Sequence, residues 1–369
     1  MRIAVLGAGG TIAPAIVRDL AESDEAETLT LLDLDGARAR AVAERHGAGK
    51  ATGAAVDASD RQALTLALDG CGLLVNAASY RINLAAMDAC LAAGCSYIDL
   101  GGLYHLTGDQ LALSEDFEQR GLLAVLGAGA GPGKTNLMAA LAARELDAVE
   151  VVRCASAGLD SDPPPGLSTP YAVQTLIDEL TVPPMVVRAG VASELDPMTP
   201  GGSVHYPDPI GERDSLYTLH SEVRTLPDSL AARDCDFRLS LAPAVLEALT
   251  RLRDRPAEEI AALRAEPPSR RTYSGQNVEV RGTRDGAAAL VTVTAITVPH
   301  ERWGLGGGIV STAAVAAATA RLYARGRVPH TGALPPERCL DPDELFAELA
   351  PRGCTIETSV TESTESEVR

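Results

Sequence analysis

The chain has 369 residues, more than one compact domain usually holds, so two domains are expected. Hydrophobic residues make up 46% and charged residues 22%, which argues against wholesale disorder, and only 3% are aromatic, leaving a core of Ala, Val, Leu and Ile. The formal net charge of −18 repels phosphate backbones and anionic lipid, so nucleic acid and membrane surfaces are disfavoured as partners.

A strand is expected from Arg2 to Leu6, which leaves no room for a cleaved signal peptide. Helices at 13–21, 36–46, 60–68, 84–93 and 111–120 then alternate with strands at 29–33, 54–56, 73–77, 96–100 and 122–126. Six strands separated by helices predict a parallel, doubly wound α/β sheet, the Rossmann arrangement. The pattern changes after residue 127. A strand at 149–157, a turn at 162–166, a helix at 171–180 and a strand at 185–188 follow. Residues 280–298 alternate about the turn Gly282-Thr283-Arg284-Asp285-Gly286, a hairpin signal, so a mixed sheet is expected in a second α/β domain. Loops are expected at 207–213 and 267–271, and helices at 312–325 and 342–349. The apolar run between Gly304 and Tyr323 is rich in Gly, Ala and Thr, which suits a buried helix better than a membrane span. The expected boundaries are 1–127 for the nucleotide domain, 128–305 for a substrate domain, 306–358 for a segment returning to the first domain, and 359–369 for a disordered tail.

Cysteines stand at 71, 90, 95, 154, 235, 339 and 354. No CxxC pair and no His/Cys cluster has metal-ligand spacing, so no metal is expected. Reduced thiols in a cytoplasmic protein fit this usage.

Gly7-Ala8-Gly9-Gly10-Thr11-Ile12 joins the first strand to the first helix, the context a dinucleotide fingerprint requires. Gly7 permits the turn, Gly9 lets backbone approach a pyrophosphate, and the helix N-terminus offers its amides to the phosphates. Ile12 replaces the third glycine. Asp33 ends the second strand at the spacing of a ribose-binding carboxylate, which favours NAD, with NADP as the second option. Asp57 and Asn76-Ala77-Ala78 close the third and fourth strands, where ligands of such sheets lie, although Asp57 equally suits a helix cap.

A second glycine-rich segment, Ala128 to Thr135, reads AGAGPGKT and satisfies the permissive Walker A pattern. Ala128 stands where the strict pattern has glycine, and no Walker B run follows. A turn bringing Gly131 and Pro132 close to the nicotinamide, with Lys134 and Asn136 aimed into a cleft, is the better reading.

These motifs, with Asp99-Leu100-Gly101-Gly102 and Pro132-Gly133-Lys134-Thr135-Asn136, resemble in order and spacing the saccharopine dehydrogenase-like reductases, the group that includes lysine 6-dehydrogenase and carboxynorspermidine dehydrogenase. Tyr206 to Gly211, His220-Ser221-Glu222, Thr225-Leu226-Pro227 and Pro335-Pro336-Glu337 extend the likeness to about residue 358. The resemblance implies a Rossmann domain, an inserted substrate and dimerisation domain, and C-terminal helices returning to the first domain. It implies a homodimer, and pyridine-nucleotide oxidation of a C–N bond in an amino acid or polyamine, or reduction of an imine. Gly131 stands where saccharopine-forming members carry an acidic residue, and Gly127 near a place where lysine 6-dehydrogenase-like members have cysteine, so the resemblance does not fix the substrate.

Such chemistry needs a proton-exchanging group near neutral pH and groups that hold the substrate's charges. Lys134, His220 and Tyr104 are the acid/base candidates. Tyr80, Arg81, His105, Asn136 and Glu222 are the substrate-contact candidates, and Gly101 joins the cofactor loops. Two other readings stay open: a catalytically inactive nucleotide sensor or scaffold, and a P-loop phosphotransferase using residues 128–135.

Overall fold

Arg2–Leu6 forms strand β1, and four of its five residues are buried, as expected of a central parallel strand covered on both faces. Around it the computed structural model describes residues 1–165, 168–169, 173–252, 255, 259, 266 and 268–362. These divide into two compact units, the first formed by Met1–Gly133 and Thr312–Asp341, the second by Lys134–Ser311 and the chain from Pro342.

In the first unit helices alternate with strands: α1 (Ala13–Ala21), β2 (Thr28–Asp33), α2 (Gly36–His46), β3 (Ala51–Ala55), α3 (Arg61–Ala67), β4 (Leu73–Asn76), α4 (Asn83–Ala93), β5 (Ser96–Asp99), α5 (Leu103–Leu111), α6 (Ser114–Gln119) and β6 (Leu123–Val125). The sheet order is β3-β2-β1-β4-β5-β6, all parallel, with β15 (Gly332–Leu334) added beside β6. This is the Rossmann order, whose crevice opens where the connections reverse, between β1 and β4. The expected helix over 111–120 is in fact two shorter helices, and α5 starts eight residues earlier than expected. Its start was obscured by Gly101-Gly102 before it and Gly108 within it.

The second unit holds α7 (Lys134–Ala143), β7 (Ala148–Asp160), α8 (Val173–Thr181), β8 (Met185–Arg188), β9 (Val191–Glu194), β10 (Pro200–Tyr206), β11 (Gly211–Tyr217), α9 (Glu222–Leu230), β12 (Asp234–Ser240), α10 (Pro243–Leu252), β13 (Thr272–Arg284) and β14 (Ala287–Thr297). Helix α11 (Gly307–Ala324) follows, its first turns in this unit and the rest in the first, where α12 (Pro336–Cys339) also lies. Helix α13 (Pro342–Leu349) and β16 (Cys354–Glu362) end the second unit. Its nine-stranded mixed sheet runs β10-β11-β12-β7-β13-β14-β16, with β8 on β12 and β9 on β8; only β12 and β7 pair in parallel. Alternate residues Val278, Val280, Val291 and Val293 are fully buried on one face, and α7 packs on β7, β13 and β14.

The predicted hairpin exists but is longer, and its two-residue turn is Asp285-Gly286, both at positive φ (51° and 79°). Residues 211–213, expected as loop, are paired strand in β11. Residues 359–362, expected as tail, pair with β14, and the chain after Pro342 belongs to the second unit rather than returning to the first. Residues 171–172 of the expected helix, Gly166 of the expected turn and residues 363–369 of the expected tail lie outside the described residues.

Candidate active site

In the first unit, Gly7 takes φ of +75° and lies so near the Ala78 backbone that a Cβ would come within 2.7 Å of it. A Cβ on Gly9 would stand 2.8 Å from Arg38 Cβ, so neither position admits a side chain without displacement. The Gly9 amide donates to Asp33 Oδ2 at 2.9 Å, and the Asp35 amide donates to Oδ1 at 2.9 Å. The carboxylate is thus fixed at the loop's edge while remaining partly exposed, as a ribose-binding group requires. Gly10 and Thr11 are exposed, and no side chain caps α1, whose buried Ile12 and Ala13 pack in place of the missing third glycine. The loop, the uncapped helix and Asp33 together fit a dinucleotide.

Asp57 is exposed; its Oδ1 accepts from the Ser59 amide (2.9 Å) and hydroxyl (2.7 Å), which lowers its pKa, and Asp60 caps α3. The helix cap expected as an alternative for Asp57 is thus supplied by Asp60, and Asp57 closes the turn before it. Asn76 is 1% exposed and its side chain is committed inward: Nδ2 donates to Asn83 Oδ1 and the Tyr97 hydroxyl, and Oδ1 accepts from the Ala78 amide. It shapes the Ala77-Ala78 turn from within.

Asp99, quoted in the resemblance but given no role, is the hub of this unit's polar core. Its Oδ1 accepts from the Gly101 (3.0 Å) and Gly127 (2.7 Å) amides, and its Oδ2 from Asn83 Nδ2 (3.0 Å) and Gln110 Nε2 (2.6 Å). Burial raises its pKa against these donors. One carboxylate thereby ties the loops after β5 and β6, and the Pro132 ring packs against Gly101 and Gly127. Tyr80 and Arg81 open a short 3₁₀ turn, with the Arg81 guanidinium 4.8 Å from the Tyr80 ring centroid. Tyr104 and His105, which follow the Gly101-Gly102 loop, lie in the first turn of α5, their rings edge to face at 5.2 Å.

The glycine-rich segment at 128–135 is no phosphate cradle. The Gly127 amide donates to Asp99 Oδ1, the Ala128 amide to the Asp99 carbonyl, and the Gly129 amide to the Pro132 carbonyl. The two side chains a P-loop needs, both in the second unit, turn to protein partners. Lys134 is fully buried, its Nζ donating to Ser311 Oγ (2.7 Å) and Thr297 Oγ1 (3.1 Å) and lying 4.0 Å from Cys354 Sγ. Burial lowers its pKa. Thr135 Oγ1 donates to Glu222 Oε1 at 2.7 Å.

Glu222 opens α9 and is itself fully buried. Its second oxygen, Oε2, meets His220 Nδ1 at 2.7 Å. His220 Nε2 lies 3.8 Å from Glu179 Oε1 of α8, and its ring stacks on Phe237 of β12, centroids 3.6 Å apart and planes 8° from parallel. Burial pulls the imidazole down, but Glu222 and Glu179 outweigh it and hold the pKa above the usual histidine value. Asn136 donates to Thr225 Oγ1 at 3.2 Å, one turn further along α9. Of the sequence candidates, His220 and Glu222 thus come together, while Lys134 belongs to a separate hydroxyl-lined cluster. Glu179 and Thr135 were missed: Glu179 is one acidic residue in an amphipathic helix, and Thr135 was read only within the phosphate and family motifs, with no role of its own.

Residues 3–125 match the family described as saccharopine dehydrogenase NADP binding domain. Carboxyaminopropylagmatine dehydrogenase of Synechocystis sp. is 28% identical over 321 residues, covering 78% of this chain and 79% of that protein. Carboxynorspermidine synthase of Vibrio cholerae is 26% identical over 197 residues, 49% of this chain and 46% of that protein. The fold is shared with saccharopine dehydrogenase (L-Glu forming) from Saccharomyces cerevisiae, at a TM-score of 0.73, 13% identity and coverage of 98% of this chain and 99% of that one. It is shared too with homospermidine synthase from Legionella pneumophila in complex with NAD, at a TM-score of 0.71, 14% identity and coverage of 100% and 93%. No helix among the described residues is long and apolar enough to cross a membrane. Residues 3–125 therefore form a saccharopine dehydrogenase-type NADP-binding domain, and the chain is an NAD(P)-dependent oxidoreductase.

Proposed function

We propose that the chain oxidises the C–N bond of an amino acid or polyamine, or reduces the corresponding imine, with His220 exchanging the proton. The substrate class is supported by the two relatives, one a carboxyaminopropylagmatine dehydrogenase and the other a carboxynorspermidine synthase. The observation that carries the role of His220 is its imidazole held at Nδ1 by Glu222, which leaves Nε2 as the nitrogen not engaged in a short bond. A nicotinamide cofactor supplies or accepts the hydride when bound. In imine reduction the carbon gains that hydride, and the nitrogen gains the proton from Nε2, leaving a neutral imidazole; oxidation reverses both transfers.

Cofactor contact is assigned to Gly7, Gly9, Gly10, Thr11, Ile12, Asp33, Ala77, Ala78, Gly101, Gly131 and Pro132. Asp33 favours NAD, since a carboxylate pairs with ribose hydroxyls and repels a 2′-phosphate. Tyr80, Arg81 and His105 are the proposed substrate contacts, and Tyr104 is a second acid/base candidate. A cytoplasmic setting is supported by seven free cysteines, and a homodimer by the family resemblance.

The test is a panel of amines and imines of amino acids and polyamines, with consumption or formation of reduced nicotinamide followed by absorbance. We expect turnover on at least one member, falling by about a hundredfold or more in His220→Gln. Nucleotide binding with no turnover on any member would instead support the sensor reading.

A further inference from the structure

The glycine-rich segment has lost its nucleotide role to the fold, yet its last residue is tied to the His220 cluster. Thr135 Oγ1 donates to one oxygen of Glu222, and the other oxygen of Glu222 holds His220 Nδ1, both at 2.7 Å. Glu222 has an oxygen engaged on each side and is fully buried, so it serves as a bracket for the imidazole rather than as the substrate ligand expected from sequence. Phe237 covers one face of the ring. On the remaining nitrogen stands Glu179, 95% buried, with Oε1 3.8 Å from Nε2. That separation is within ion-pair reach and beyond a hydrogen bond. It attracts an Nε2–H proton without binding it so tightly that it cannot be passed on.

We propose that Glu179 is a positioning residue for the reaction: together with Glu222, and braced by Thr135, it keeps His220 protonated and aimed for delivery of the Nε2 proton to an imine nitrogen. This rests on the reading of His220 as the proton-exchanging group. The step balances without a further reactant. The N–H bond at Nε2 breaks, an N–H bond forms on the substrate as its carbon takes the cofactor's hydride, and solvent returns one proton to the imidazole. Two carboxylates beside one imidazole favour its charged form, the form that can deliver a proton to an imine. The charged groups that face His220 are Glu222 from α9 and Glu179 from α8; β12 contributes the apolar Phe237, and α7 reaches Glu222 through the uncharged Thr135.

The experiment combines imidazole NMR of the full chain, with His220 assigned through His220→Gln, and the pH profile of imine reduction on the best substrate of the panel. In Glu179→Gln the His220 midpoint moves to lower pH. The maximal rate at a pH above that midpoint falls about tenfold, whereas KM and NAD(P)H binding stay near wild type. Thr135→Val moves the midpoint away from the wild-type value and Thr135→Ser restores it, a rescue that a loss of packing alone does not give. A His220 midpoint and rate profile unchanged in Glu179→Gln, while His220→Gln is inactive, overturn the proposal and leave His220 in place. Wild-type turnover in His220→Gln overturns the reading beneath it. Should Glu179→Gln fail to fold, Glu179→Asp provides the same comparison with the charge kept and the reach shortened, and an unchanged His220 midpoint there counts against the proposal.

Discussion

Lys134 and His220 are both buried bases, and their surroundings push them in opposite directions. His220 has two carboxylates, so its charge is compensated and its pKa rises. Among the described residues Lys134 has only the Thr297 and Ser311 hydroxyls and the Cys354 sulfur, and burial lowers its pKa. For a base whose folded pKa is depressed, the cost to stability is fully present below that value and disappears as pH rises towards the ordinary lysine value. Lys134→Met removes the charge and keeps the volume, and Thr297 Oγ1 still reaches Ser311 Oγ at 3.4 Å. We expect this variant to be more stable than wild type at pH 7, by about 1–2 kcal/mol. The difference should shrink as thermal unfolding is repeated towards pH 10. A variant less stable at pH 7 would mean that the ammonium's hydrogen bonds outweigh its desolvation.

At the scale of elements, one buried carboxylate holds together the loops after β5 and β6, in which some of the proposed cofactor contacts lie. All four Asp99 contacts named above come from N–H donors, so an Asn side chain turns its own NH₂ towards a donor whichever way it is flipped. Asp99→Asn is expected to destabilise the protein by about 2–4 kcal/mol in thermal or denaturant unfolding. It should also weaken NADH binding, because the Gly101 and Gly127 loops lose a shared anchor; an unchanged stability would remove Asp99 from that role. The role was not legible in sequence, since it depends on partners from α4, α5 and two loops that only the fold brings together. The parallel strands were legible, because each is a short buried aliphatic run followed by a helix. The second sheet was legible only in its long central strands. Strand β9 is exposed along its whole length, β10 and β11 are rich in Gly, Pro and charge, and α9 carries Pro227, so neither alternation nor helical period marks them. Strand β16 mixes β-branched Thr, Ile and Val with Ser and Glu, a strand-compatible composition, but the pairing with β14 that secures it is a long-range contact that the sequence does not signal.

For the whole molecule, the same glycine-rich chemistry occurs twice with opposite outcomes. The loop after β1 precedes an uncapped helix and meets Asp33, whereas the loop after β6 closes on itself and sends its Lys and Thr to protein partners. Spacing identified the first and left the second open; only the destination of each amide and side chain separates them. The central claim, a single NAD(P) site on the first unit, is tested most directly by calorimetric titration of the full chain with NADH, NADPH and Mg·ATP, repeated on Asp33→Ala. NADH is expected to bind, about tenfold or more weakly in Asp33→Ala, and Mg·ATP is expected not to bind. Binding of Mg·ATP without either reduced nucleotide would contradict the claim.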